Sequence, residues 1–192
     1  MNVIRFFFLG LLGSLGALTA ELVASNLYFI FSGREISLGY YEKVTVFLIL
    51  VILIEESFKY ILLRRSYAEK TDNFFLTIFL SGSGFSLIES YFAFLNNNSE
   101  FSETFILSAA GAILLHIITY GIIASLISAA NPSILRLPLA VLIPSTAHFI
   151  YNFMVIKSFS HGMIYAYLTI LSVTLAAARL WRLPGSRKNQ DF

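Results

Sequence analysis

Residues 44–63 read VTVFLILVILIEESFKYILL. The run is long enough to cross a bilayer as a helix, for which about 20 apolar residues are needed. Its second half nevertheless carries Glu55, Glu56 and Lys59. Composition decides between a buried soluble helix and a membrane span. Of 192 residues, 57% are apolar and 12% charged, with 19 Phe; that is about half the charged share of a typical soluble domain. Such a chain cannot cover a soluble surface, and it is too apolar to be disordered. The expected fold is therefore all-α, a polytopic helical membrane protein forming a single integral membrane domain over residues 1–192.

Working outward from this stretch, six spans are expected. They are Val3–Phe31, Val44–Leu63, Phe74–Leu95, Thr104–Ala129, Leu137–Ile156 and Met163–Trp181. The connections, such as Arg64–Asn73 and Asn96–Glu103, are short and polar, and no internal repeat stands out. The N-terminal stretch has the look of a signal peptide. Its apolar character continues past Glu21, however, and no A-x-A cleavage site follows, so a retained helix is expected. That helix is longer than a span requires, which predicts tilt or a bend near Gly10, Gly13 and Gly16.

With the N-terminus in the cytoplasm, nine Lys and Arg fall on the inner side and three on the outer, with Lys59 inside a span. The positive-inside rule then places both termini in the cytoplasm. Trp181, between Arg179 and Arg182, suits an interface anchor at the inner side. The net charge of +2 and the lack of a basic, aromatic-interleaved cluster argue against a nucleic-acid partner. Absence of Cys excludes disulfides, thiolate metal sites and a Cys nucleophile.

The informative residues are those that interrupt the spans. They are Glu55, Glu56 and Lys59 in the second, Glu89 in the third, His116 in the fourth, and His148 with Asn152 in the fifth. An acid at a helix centre costs about 2.5–3.5 kcal/mol on insertion scales, so several in one small protein require mutual pairing or a watery cavity. Counted at about 1.5 Å per residue, Glu55, Glu89, His116 and His148 lie roughly 12 to 22 Å from the inner ends of their spans. They can share one layer near the midplane. Glu55 and Lys59 fall on one helix face at i, i+4, with Glu56 about 100° away. Lys59 then holds one carboxylate while the other faces the cavity, or it is shared by both. His148 and Asn152 also share a face at i, i+4.

Each of these residues also has a purely structural reading. Glu55, Glu56 and Lys59 form an ion cluster that locks helices; Glu89 is a neutral hydrogen-bonded carboxyl; His116 and His148 are satisfied core histidines. Their coincidence in one layer favours function. His161 reads as a loop residue. Glu21 reads as structural and displaced outward from the layer.

The ordered segments Glu55-Glu56-Ser57-Phe58-Lys59, Gly84-Phe85-Ser86-Leu87-Ile88-Glu89, Leu115-His116-Ile117-Ile118-Thr119-Tyr120-Gly121 and His148-Phe149-Ile150-Tyr151-Asn152 resemble the PrsW family of intramembrane proteases. That family is related to the CAAX protease and bacteriocin-processing superfamily. The shared pattern is E-E-x-x-K, F-x-x-x-E, a His-bearing helix and H-x-x-x-N. The wider superfamily typically has E-E-x-x-x-R and F-x-x-x-H, so both departures point to the PrsW branch. The resemblance covers a core of about residues 44–156. It implies hydrolysis of peptide bonds in membrane-anchored substrate proteins, including anti-sigma factors cut at a first, outward-facing site. It also implies a prokaryotic plasma membrane.

Under this resemblance Glu55 or Glu56 is the general base, with Lys59 holding the other carboxylate. His148 and Asn152 donate to the oxyanion, and Glu89 and His116 position water or protonate the leaving amine. A metal-free, glutamate-activated water is preferred. The alternative is a zinc site drawn from His116, His148 and Glu55 or Glu89, two His and a carboxylate being a sufficient ligand set. Two other readings stay open. A proton-coupled transporter uses buried Glu, Lys and His too, although no broken helix pair is evident. A non-catalytic scaffold would tolerate Glu55→Gln.

Overall fold

The computed structural model describes residues 4–33, 46–68, 74–96, 102–128, 136–157 and 172. Among them are five α-helices: α1 (Ile4–Ser32), α2 (Val46–Ala68), α3 (Phe74–Asn96), α4 (Glu103–Ser128) and α5 (Arg136–Lys157). Four contain stretches long and apolar enough to cross a membrane: Ile4–Ser32, Phe75–Leu95, Phe105–Ile127 and Pro138–Val155. The chain is a helical membrane protein. The sixth expected span lies outside the described residues apart from Ser172, as do His161, Trp181 and most of the loop charges used for orientation.

The first, third, fourth and fifth spans fall within a residue or two of their expected limits. The second differs. Residues 64–68, expected to be connection, continue α2 through Arg64 and Arg65. Both arginines are exposed, and arginine is a good helix former. Hydropathy marks where apolar character stops, whereas the backbone ladder runs on. Helix ends follow local chemistry. Ser102 caps α4 by accepting the Phe105 amide at 3.1 Å, with Glu103 beside the positive end of the dipole. Gly33 ends α1 at φ 66°, its amide donating to the Phe29 carbonyl at 2.8 Å, a left-handed cap suited to glycine.

Helices adjacent in sequence run antiparallel, and α1 and α3 run parallel. Gly82 meets Ile117 and Gly111 meets Tyr151, while Gly13 and Gly16 meet Leu62 and Phe58. These contacts cross α3 with α4, α4 with α5, and α1 with α2. Between α1 and α3 the register instead advances together, from Phe6 on Ser81 to Leu11 on Gly84.

The α1–α3 seam is built of small residues. A Cβ at Gly10 would run into the Ser81 carbonyl, and one at Gly84 into the Phe7 carbonyl. Ser81 donates its hydroxyl to the Phe6 carbonyl at 3.2 Å. Small residues let membrane helices approach closely, where dispersion and polar contacts replace the hydrophobic drive. The helix α1 is continuous from Ile4 to Ser32, and the glycines expected to bend it serve as contact points. Its opposite face, with Phe8, Leu12 and Leu22, is exposed, as suits a lipid-facing surface.

The helix α2 packs against α1, α4 and α5. Glu55, Glu56 and Lys59 therefore face protein rather than lipid. An apolar cluster of Leu63, Ile78, Phe85, Tyr120, Ile123 and Ala124, with Ala17 from α1, closes one side of the polar residues.

The glycines make contrasting predictions. Gly84→Ala should destabilise by about 1–3 kcal/mol through overpacking on backbone. Gly121, where only an Ile78 methyl lies at 4.0 Å, should accept alanine with neutral effect or a gain of up to about 1 kcal/mol. Thermal unfolding in detergent, followed by circular dichroism, distinguishes the two.

Candidate active site

The polar residues of α2 set the site. Lys59 and Glu56 are fully buried, and the ammonium donates to Glu56 Oε1 at 2.6 Å. The pair is thus at i, i+3, and Lys59 takes Glu56 rather than Glu55. A second ammonium hydrogen bond goes to Thr119 Oγ1 on α4 at 3.0 Å, and Thr119 in turn donates to the His116 carbonyl at 3.1 Å. The remaining side of the ammonium faces aromatic rings, 4.9 Å from the Phe85 centroid and 6.0 Å from that of Tyr120. Cation–π attraction of this kind strengthens when the cation is desolvated.

His148, on α5 one turn after the buried Pro144, meets the same carboxylate. Its Nδ1 lies 2.8 Å from Glu56 Oε1 and 3.6 Å from Glu55 Oε2. An ionised carboxylate only accepts hydrogen bonds, so Nδ1 carries the proton and Nε2 presents a lone pair. His116 is arranged in the opposite sense. Its Nε2 bonds Glu89 on α3, which leaves Nδ1 as the free position by the same reasoning. The two imidazoles stand edge to face with centroids 5.3 Å apart.

The buried atoms without a hydrogen-bond partner include Glu55 Oε2, His116 Nδ1 and His148 Nε2, together with Glu56 Oε2 and the hydroxyls of Ser86, Ser145 and Tyr120. One ligand atom from each of Glu55, His116 and His148 lies within 4.8 Å of the other two. Carboxylates behind the rings fix both tautomers, which is the arrangement that metal-ligating histidines adopt. The residues present therefore fit a divalent ion held by Glu55, His116 and His148. The sequence allowed Glu89 as a ligand; here it braces His116 instead. Glu56, allowed as a base, is engaged by Lys59 and His148.

Asn152 is half-buried one turn beyond His148, and among the described residues it makes no hydrogen bond. Glu89 is the most open of the site carboxylates, its side chain 37% exposed. One contributor was not singled out from sequence: Thr119, which had a usable signal, lying one turn after His116 on the same helix face. Glu21, read as structural, is buried. No protein-family model, curated protein or solved structure matches the chain.

The buried pair makes a stability prediction. Lys59→Met strands the Glu56 carboxylate and should cost about 3–5 kcal/mol. Adding Glu56→Gln should recover a large part of that loss. Denaturation midpoints of the two variants in detergent test this.

Proposed function

We propose that this chain is an intramembrane endopeptidase of the PrsW type. It would act on membrane-anchored protein substrates from a six-span bundle with both termini cytoplasmic, in a prokaryotic plasma membrane. The observation that carries the reading is the convergence of Glu55, His116 and His148, one ligand atom of each lying within 4.8 Å of the other two. The ordered resemblance to the PrsW motifs supplies the reaction class.

Amide hydrolysis needs an activated water, stabilisation of the oxyanion and a proton for the leaving amine. Glu55, His116 and His148 would hold a divalent ion, which would supply Lewis acidity toward water and a carbonyl. Glu56 and Glu89 hold the two imidazoles in the tautomers that turn a lone pair inward. Lys59 neutralises Glu56 so that this carboxylate stays with His148. Glu55, which makes no hydrogen bond among the described residues, contributes negative charge where water must be deprotonated. Glu89, being the most open, carries protons between the site and the solvent on its side. The uncommitted carboxamide of Asn152 is available to donate to the oxyanion, a contact worth about 10²–10³-fold in rate.

The test is quantitative N-terminal proteomics on membranes from a bacterial host expressing wild type or Glu55→Gln protein at equal levels. New termini beside transmembrane segments are expected with wild type only. Equal termini from the two proteins would overturn the reading, and a proton-flux assay in liposomes would then test the carrier alternative. Purified wild type should also hold about one equivalent of zinc by elemental analysis. His148→Ala should lose the zinc, while Glu89→Gln should weaken metal affinity about 10–100-fold.

A further inference from the structure

We propose that Thr119 is a positioning residue of this site: through its hydroxyl, the buried Lys59 holds His116 turned toward Glu55 and His148. The inference deepens the proposed function and rests on the site described there. Thr119 lies one turn after His116 on α4, so the two share a helix face. Its hydroxyl donates to the His116 carbonyl at 3.1 Å, a bond that threonine in a helix makes readily. With its proton used there, Oγ1 can only accept, and it accepts from the Lys59 ammonium at 3.0 Å.

One unbroken chain of hydrogen bonds results. His148 Nδ1 donates to Glu56 Oε1 at 2.8 Å. Lys59 donates to the same oxygen at 2.6 Å and to Thr119, and Thr119 donates to the His116 backbone. The chain starts on α5, crosses α2 and ends on α4, so it couples the two helices that carry the histidines. None of its five residues is more than 1% exposed, so bulk water does not stand ready to replace a lost member.

Two other neighbours of the His116 ring fix less. Glu89 bonds Nε2 from a side chain that is 37% exposed; this sets the tautomer but not the position of α4. Phe85, tilted by 40° with centroids 5.1 Å apart, is an apolar wall along which an imidazole can slide. The Thr119 hydroxyl instead anchors the α4 backbone at His116 itself. One ligand atom each from Glu55, His116 and His148 lies within 4.8 Å of the others. Functional constellations must be held to within about 0.5 Å, so a small rotation of α4 takes His116 out of the group. Valine keeps the shape of threonine but leaves an ammonium proton without its acceptor in a dry interior. Serine keeps both acceptor and donor. A hydroxyl with a merely structural role would change the stability of the fold and leave the geometry of folded protein unaltered.

The experiment uses the full chain purified in detergent as wild type, Thr119→Ser and Thr119→Val, with zinc alone as the probe of geometry. Competition with a chromogenic chelator gives the affinity, and the visible absorption of cobalt in place of zinc reports the arrangement of the ligands. Thr119→Ser should bind zinc as wild type does. Thr119→Val should bind it about 10–100-fold more weakly, as when the outer partner of a metal-ligating histidine is lost, and its cobalt band should weaken. Thr119→Val is also made in protein carrying Lys59→Met with Glu56→Gln, where no ammonium needs the hydroxyl and the carboxamide oxygen still accepts from His148. There it should cost nothing further, since its effect passes through Lys59. Folded Thr119→Val protein that binds zinc and cobalt as wild type does would overturn the inference and leave the metal site intact. Equal weakening in both backgrounds would overturn it too. Where Thr119→Val alone fails to fold, weakening in the second background is the overturning result. Wild type that binds no zinc removes the metal site and the inference together.

Discussion

A lysine ammonium fully removed from solvent has to be neutralised where it sits, and in this chain Glu56 does so one turn back on the same helix. The polar interior depends on that pair. Glu56 also receives His148 from α5, and Lys59 reaches Thr119 on α4. One ion pair thereby ties three helices and fixes an imidazole. Buried pairs seldom add net stability, because desolvation offsets the attraction. Its value lies in specificity, since any rotation of α2 against α4 or α5 would strand a charge in a medium without water.

The same pair divides labour between adjacent carboxylates. Glu56 accepts from Lys59 and His148 through Oε1, its Oε2 being buried without a partner, whereas Glu55 makes no hydrogen bond among the described residues. Phe85 lies against Lys59 and, at 5.1 Å between centroids, against His116. The apolar cluster packs beneath it, and Glu89 is the partly exposed carboxylate of the site.

Packing of α1 shows how a helix without motif residues still shapes the centre. Glycines on α1 and α3 bring the two backbones into contact, and the α1 face that ends at Glu21 is buried with them. Bulkier residues along the seam would hold α1 away and leave Glu21 facing lipid, where an acid is costly.

Membrane character was legible in the sequence, because the excess of apolar residues admits no soluble solution. The placement of α1, α3, α4 and α5 was legible too, since each apolar run has the length that a bilayer demands. So was the layer of Glu55, Glu89, His116 and His148, because depth along a helix is a simple count of residues. Three things were not legible. Arg64–Ala68 continue α2 since backbone hydrogen bonds do not stop where hydropathy falls. Lys59 chooses Glu56 over Glu55 because Thr119 and two aromatic rings hold the ammonium on that side. Glu21 is buried because the small-residue seam sets the separation and rotation of α1 and α3. Sequence thus determined the solvent, the spans and the depth of each polar group. Only the tertiary structure decided which group meets which, since pairing depends on distances between helices that no single helix's periodicity contains.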